Sequence, residues 1–154
     1  MKKIIIAAGG SGGHIFPAIA LGRSLSALDK GVDIMYIGSD KSLDRRMFEK
    51  EGVRFGTLSA NKLAYKFSPG MVIVFLKLLV DIFRALFIVL SYKPDVAVGF
   101  RGYASFPVIF AAGLVGIPTI AHEQNAVPGR ANKFLFRFVE RIALSFEETK
   151  DAMG

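Results

Sequence analysis

The sequence predicts an α/β fold, a Rossmann-like parallel sheet with helices on both faces, on three observations. Apolar runs of strand length alternate with segments of helical periodicity along the chain. The runs are almost continuously apolar, as strands covered on both faces must be. The first of them, Ile4-Ile5-Ile6-Ala7-Ala8, passes directly into the glycine-rich turn Gly9-Gly10-Ser11-Gly12-Gly13-His14 and then into a helical segment.

That turn organises the rest of the chain. Glycines on both sides of a single serine let an oxyanion approach the backbone N–H groups at a helix start, so phosphate or diphosphate is its natural guest. It is not a P-loop, because Gly13 is followed by His14 and Ile15 rather than by Lys and Ser or Thr. It is not a dinucleotide fingerprint either, since Ile15 stands where the third glycine would be.

The elements follow in order. Residues 15–28 carry Ile15, Ile19, Leu21, Leu25 and Leu28 near helical spacing, with Pro17 tolerable in a first turn. A second strand spans 32–38, a polar-faced helix 42–51 stops at Gly52, and a third strand spans 53–58. Residues 59–70 are irregular and read as a surface loop. Residues 71–92 form a long apolar helix interrupted by Lys77, Asp81 and Arg84, which share one face at this spacing. Strand 96–100, helix 105–115, strand 117–121, helix 130–138 and strand 141–145 follow, with turn chemistry at Ala126-Val127-Pro128-Gly129. The segment 146–154 begins like a helix with no strand after it, which suggests a longer protein or a domain boundary.

The 154 residues suit one domain, and a 52% hydrophobic content supports a sizeable core. Without cysteine there are no disulfides, and with only two histidines no protein-built metal site is expected. A formal charge of +7 implies an anionic partner, whether nucleic acid, anionic lipid or a phosphorylated substrate. The start Met1-Lys2-Lys3 resembles a signal peptide only superficially, because its apolar run is short and passes into glycines.

Helix 71–92 has three readings. A transmembrane span would hold three charges near its centre at a cost of several kcal/mol. A buried core helix needs no membrane. A helix with one face on the sheet and the other on lipid, flanked by Lys62, Lys66, Lys77 and Arg84, is the third.

Ligands of such sheets sit beyond the carboxyl ends of the strands. Three loops fall there: residues 9–14, 101–103 and 122–125. Together they would offer N–H donors, the Arg101 guanidinium, the imidazoles of His14 and His122, the Glu123 carboxylate and two amides, a set suited to a diphosphate joined to a sugar. Each also has a plainer reading. His14 could satisfy a backbone carbonyl or act as a general base, Glu123 could orient a neighbour, Asn125 could form the turn, and Arg101 could be a solvated charge.

The stretches Gly9-Gly10-Ser11-Gly12-Gly13-His14-Ile15-Phe16-Pro17-Ala18 and His122-Glu123-Gln124-Asn125-Ala126-Val127-Pro128-Gly129 closely resemble the two N-terminal signatures of the MurG family, the bacterial peptidoglycan N-acetylglucosaminyltransferases of the GT-B fold. The resemblance spans nearly the whole chain but covers only the N-terminal half of those enzymes. It implies an acceptor-binding, membrane-associating domain over residues 1–154, with the C-terminal donor-binding domain absent. The activity implied is inverting transfer of GlcNAc from UDP-GlcNAc to the MurNAc 4-hydroxyl of lipid I, giving lipid II, in cell-wall synthesis at the cytoplasmic face of the plasma membrane. The domain alone would turn over little or nothing.

By position, the resemblance makes His14 the candidate base and sets Ser11, Gly12, Gly13 and Asn125 toward the donor. It places Gly10, Gly102, Tyr103, His122 and Glu123 beside the acceptor diphosphate. It implies a membrane patch at Lys66, Val72, Phe75, Leu79 and Phe83. No metal, cofactor or nucleic acid is expected. The alternative is a non-catalytic subunit of a split transferase that recruits its partner at the membrane; a nucleotide-dependent oxidoreductase domain is disfavoured by the failed fingerprint. Ser11 stands where the family has threonine, Arg101 where it has glycine, and Phe106 where it has a small residue.

Overall fold

The computed structural model describes residues 1–59 and 70–151. Its elements are β1 (Lys3–Ala7), α1 (Gly12–Leu28), β2 (Asp33–Ser39), α2 (Ser42–Lys50), β3 (Phe55–Leu58), α3 (Gly70–Tyr92), β4 (Val96–Gly99), α4 (Ser105–Leu114), β5 (Thr119–Glu123), α5 (Arg130–Leu135) and β6 (Arg141–Leu144), with short 3-10 turns at Phe136–Phe138 and Glu147–Thr149. The six strands form one parallel sheet in the order β3-β2-β1-β4-β5-β6. The chain winds outward in both directions from the β1/β4 pair, which makes the carboxyl ends of these two strands the switch point of the fold.

Strand periodicity divides the core in two. Ile5, Ala7, Ala97 and Ala121 face α3, α4 and α5 with Val89, Ile109 and Leu135. Ile4, Ile6 and Val98 face α1 and α2 with Ile15, Ile19 and Phe48. The expected order of elements is therefore present, with two shifts that matter. Helix α1 starts at Gly12 rather than 15, which brings Pro17 inside it. Strand β5 starts two residues later than expected, at Thr119. Pro118 has no N–H for the ladder, although its carbonyl accepts from the Ala97 N–H at 2.9 Å. His122 and Glu123 thus belong to the strand and point to opposite faces of the sheet.

Helix α3 spans 23 residues, about 34 Å, and returns from the carboxyl ends of the strands to their amino ends. Its buried side carries Ala85, Val89 and Tyr92. Asp81 does not share an exposed face with Lys77 and Arg84: it is 2% exposed and accepts the Ser59 N–H at 2.9 Å. On the outer side Val72, Leu76, Val80, Phe83, Phe87 and Leu90 form one exposed stripe. Of the expected membrane patch, Val72, Phe75 and Phe83 are exposed and Leu79 is half-buried. Lys66 and most of the expected loop lie outside the described residues. No described helix is long and apolar enough to cross a membrane.

Candidate functional site

The sheet order puts β1, β4 and β5 side by side, so the three loops expected to meet do so at one edge. The glycine turn after β1 is pinned from below by Asp44 of α2. This buried carboxylate accepts the Gly10 N–H at 2.9 Å, the Ser39 N–H at 2.9 Å and the Ser39 hydroxyl at 2.5 Å. Gly9 lies so close that a Cβ there would stand 2.6 Å from Asp44 Oδ2. Gly10 has φ +91°, a conformation that favours glycine. Ser11 precedes α1 without capping it through its side chain, and the first N–H groups of the helix, those of Gly12 and Gly13, have no helical acceptor. Together with the positive end of the helix they form an anion-binding terminus.

His14 sits one residue further on. Its Nδ1 lies 3.0 Å from the Gly9 carbonyl, which can only accept, so Nδ1 carries the proton. The neutral ring then has its lone pair on Nε2, the form a general base requires. The two readings of His14 are compatible: one nitrogen satisfies a carbonyl and the other is left for chemistry.

The second loop packs directly on the first. A Cβ on Gly102, at φ +90°, would run into the Gly9 carbonyl. Arg101 also has positive φ, +51°, the conformation for which glycine is the easier residue. Ser105 fastens the loop, its hydroxyl lying 2.9 Å from the Ala7 carbonyl and 2.8 Å from that of Arg101. Tyr103 is half-buried at the start of α4. Phe106 points into an aromatic cluster with Phe110, Phe134 and Phe138, which accounts for a large residue at that position.

The third loop corrects the expectation for Glu123. Its carboxylate is fully buried and already engaged: Oε1 accepts the Asn125 N–H at 3.0 Å and meets Arg101 Nη1 at 3.4 Å, and Oε2 accepts the Asn132 side-chain amide at 2.9 Å and the Gly129 N–H at 3.4 Å. An occupied anion makes a poor partner for a diphosphate. Glu123 instead holds the shape of the loop that carries Asn125, and Arg101 is its counterion rather than a solvated charge. Asn125 itself has an exposed side chain, and its carbonyl accepts the Thr149 hydroxyl at 3.1 Å.

His122 faces the α1 side, its ring 4.8 Å from that of Phe100, in an apolar cavity of about 530 Å³ lined also by Ile4, Leu21 and Val98. Nε2 contacts the Ser145 hydroxyl at 3.2 Å. Burial pushes its pKa below the usual range, only partly offset by the Glu123 charge and the Gln124 side chain. This environment disfavours the charged ring.

Sequence reasoning missed four tethers: Asp44, Asn132, Ser105 and Gln124. The last follows from Pro17. With no N–H on Pro17, the Gly13 carbonyl four residues earlier lacks its helical donor, and Gln124 Nε2 supplies one at 3.0 Å. Pro17 was the signal available in the sequence, legible only once the helix is known to start at Gly12. Among the described residues no group of three or more His, Asp or Glu side chains could hold a metal ion.

The fold and the site define a class: a doubly wound α/β domain that presents glycine turns, an anion-binding helix terminus and a tautomer-fixed histidine at its switch point. The glycosyltransferase family 28 N-terminal domain model matches residues 4–144, and the chain belongs to that family. Two proteins bearing the name UDP-N-acetylglucosamine–N-acetylmuramyl-(pentapeptide) pyrophosphoryl-undecaprenol N-acetylglucosamine transferase are similar to it. The one from Halalkalibacterium halodurans is 40% identical over 96% of this chain and 41% of its own length, and the one from Bacillus subtilis is 36% identical over the same shares. The chain thus spans about two fifths of the length of the curated relatives it matches. Among solved structures, Acinetobacter baumannii MurG superimposes with a TM-score of 0.79 at 28% identity, over 96% of this chain and 43% of that one. A putative UDP-N-acetylglucosamine 2-epimerase from Listeria monocytogenes, at TM-score 0.73 and 11% identity over 99% of this chain and 41% of that one, shares the fold alone. The resemblance read from the two motifs and the Rossmann-like fold class are both borne out.

Proposed function

We propose that the chain is the acceptor-binding half of an inverting glycosyltransferase that moves GlcNAc from UDP-GlcNAc to the MurNAc 4-hydroxyl of lipid I, producing lipid II for peptidoglycan. The observation that carries this reading is His14, held with Nδ1 on the Gly9 carbonyl beside the open N-terminus of α1. Its Nε2 takes the proton of the acceptor hydroxyl as that oxygen bonds to C1 of GlcNAc, while the bond from C1 to the UDP oxygen breaks and UDP leaves as the anion. The backbone N–H groups at Gly12 and Gly13 stabilise phosphate charge, with Ser11 beside them. Gly10, Gly102 and Tyr103 flank the acceptor diphosphate, and Asn125 faces the donor. Most donor contacts come from a second domain in the part of the relatives that this chain does not span.

The exposed stripe on α3 supports peripheral docking at the cytoplasmic face of the plasma membrane, where a polyprenyl substrate must be met. The test is flotation of the chain with vesicles containing phosphatidylglycerol, with and without a polyprenyl-diphosphoryl-MurNAc acceptor. Acceptor-strengthened binding that His14→Ala and Arg101→Gly alter is the expected result. Binding indifferent to the acceptor would replace this reading with that of a membrane-recruiting subunit.

A further inference from the structure

We propose that Gln124 is a positioning residue for the donor: its bond to the Gly13 carbonyl fixes the spacing between the first turn of α1 and Asn125, the two parts of the site that face the nucleotide sugar. This rests on the reading of the cleft given above and adds to it the residue that holds its two donor-facing parts together.

The three loops are tied to one another in pairs. Gly102 packs on the Gly9 carbonyl and joins the second loop to the first. Arg101 meets Glu123 at 3.4 Å and joins the second to the third. Gln124 Nε2 donates to the Gly13 carbonyl at 3.0 Å and closes the remaining side, between the third loop and the first. The first tie is close backbone packing and the second engages a buried carboxylate, whereas the Gln124 bond is a neutral hydrogen bond in an exposed position.

The anchor of this bond is firm and its target is not. Gln124 stands between Glu123, fully buried and held by its four partners, and Asn125, whose N–H bonds Glu123 and whose carbonyl accepts the Thr149 hydroxyl. Gly13 lies in a helical turn that Pro17 cannot close and that Ser11 does not cap through its side chain. Water would satisfy the exposed Gly13 carbonyl nearly as well as an amide does, so the bond contributes little to stability. What water cannot supply is a fixed distance to the third loop, and a ligand that spans both loops depends on that distance. The amide has one workable orientation, because the Gly13 carbonyl only accepts and a flipped amide would set oxygen against oxygen.

The test titrates the labelled chain with UDP-GlcNAc at millimolar concentration and reads the Gly12 and Gly13 amides together with the Asn125 side-chain amide. In the unaltered chain they should shift along one isotherm. Gln124→Met, which keeps the reach of the side chain and removes the donor, should lower that affinity about tenfold and change the melting temperature little. Acceptor binding, read at Gly102 and Tyr103, should be retained. Pro17→Ala separates positioning from helix completion, because it gives the Gly13 carbonyl an N–H of its own. In Pro17→Ala combined with Gln124→Met the turn is closed again, so the melting temperature should equal or exceed that of the unaltered chain while the UDP-GlcNAc affinity stays low. Full recovery of affinity in the double variant would mean that Gln124 only completes the helix, and would overturn the proposal. So would an unchanged affinity in Gln124→Met, or an unaltered chain in which UDP-GlcNAc shifts neither Gly13 nor Asn125. If the acceptor fails to shift His14 while UDP-GlcNAc binding shows the expected dependence on Gln124, the acceptor reading is refuted and the positioning role stands.

Discussion

Replacing Glu123 by Gln separates a carboxylate that shapes the site from one that contacts the ligand. Gln keeps one acceptor oxygen, which can still take the Asn125 N–H, but its amide turns a donor toward the Asn132 amide and the Gly129 N–H. The Gly129 contact is already long at 3.4 Å, so the larger loss is the Asn132 bond, and a buried donor left without its acceptor costs about 1–3 kcal/mol. Arg101 loses its counterion as well, but its side chain is 23% exposed and recovers part of that in water, leaving about 1 kcal/mol. The sum is about 2–4 kcal/mol, which in a domain of this size lowers the melting temperature by roughly 10 °C. Calorimetry measures the shift, and titration with the polyprenyl-diphosphoryl acceptor measures binding at a temperature where the variant is folded. Pairing the change with Asn132→Asp, which restores an acceptor opposite the new amide, should recover much of the loss. A variant that melts like the unaltered chain yet loses acceptor binding would refute the assignment and return Glu123 to direct ligand contact.

Further outcomes follow from the same geometry. Asp44→Ala strips the acceptor from Gly10 and Ser39 and should cost about 3–5 kcal/mol by denaturant unfolding, with acceptor affinity falling as the glycine turn loosens. Gly102→Ala drives a Cβ into the Gly9 carbonyl at a left-handed φ, so acceptor binding should fall even in chain that remains folded. Burial depresses the folded-state pKa of His122 below its unfolded value of 6.5, so the unfolded chain binds the extra proton. The stability this contributes is complete above pH 6.5 and is lost as pH falls toward the folded pKa. Melts between pH 7.5 and 5.5 should show that slope, and His122→Phe should flatten it.

The fold was legible because buried parallel strands and amphipathic helices leave periods that need no tertiary knowledge. The meeting of the three loops was legible too, since the doubly wound order fixes which strand ends are adjacent. What misled was register. Ending β5 at 121 rather than at Glu123 left His122 and Glu123 in a loop, where both could face the cleft; within a strand, period two separates them. Asp44 and Asn132 carry no local signal, because their partners are decided by packing: Asp44 reaches Gly10 across 34 residues, and Gln124, signalled only by Pro17, reaches Gly13 across 111. Arg101 read as a departure from the family's glycine and as a solvated charge, and only the buried carboxylate of Glu123 explains it. On α3 the helix itself was plain from its apolar length, and its exposed side includes Val72, Phe75 and Phe83 of the expected patch, but the inward turn of Asp81 and Ala85 needed the packing.

The account rests most heavily on His14 and the glycine turn as an acceptor site, and resonance mapping tests that directly. Titrating the labelled chain with the polyprenyl-diphosphoryl-MurNAc acceptor should saturably shift the His14 ring and the amides of Gly10, Gly102 and Tyr103, whereas UDP-GlcNAc at the same concentrations should shift them far less. Shifts confined to α3, or stronger binding of UDP-GlcNAc at the same residues, would contradict the assignment of this cleft to the acceptor.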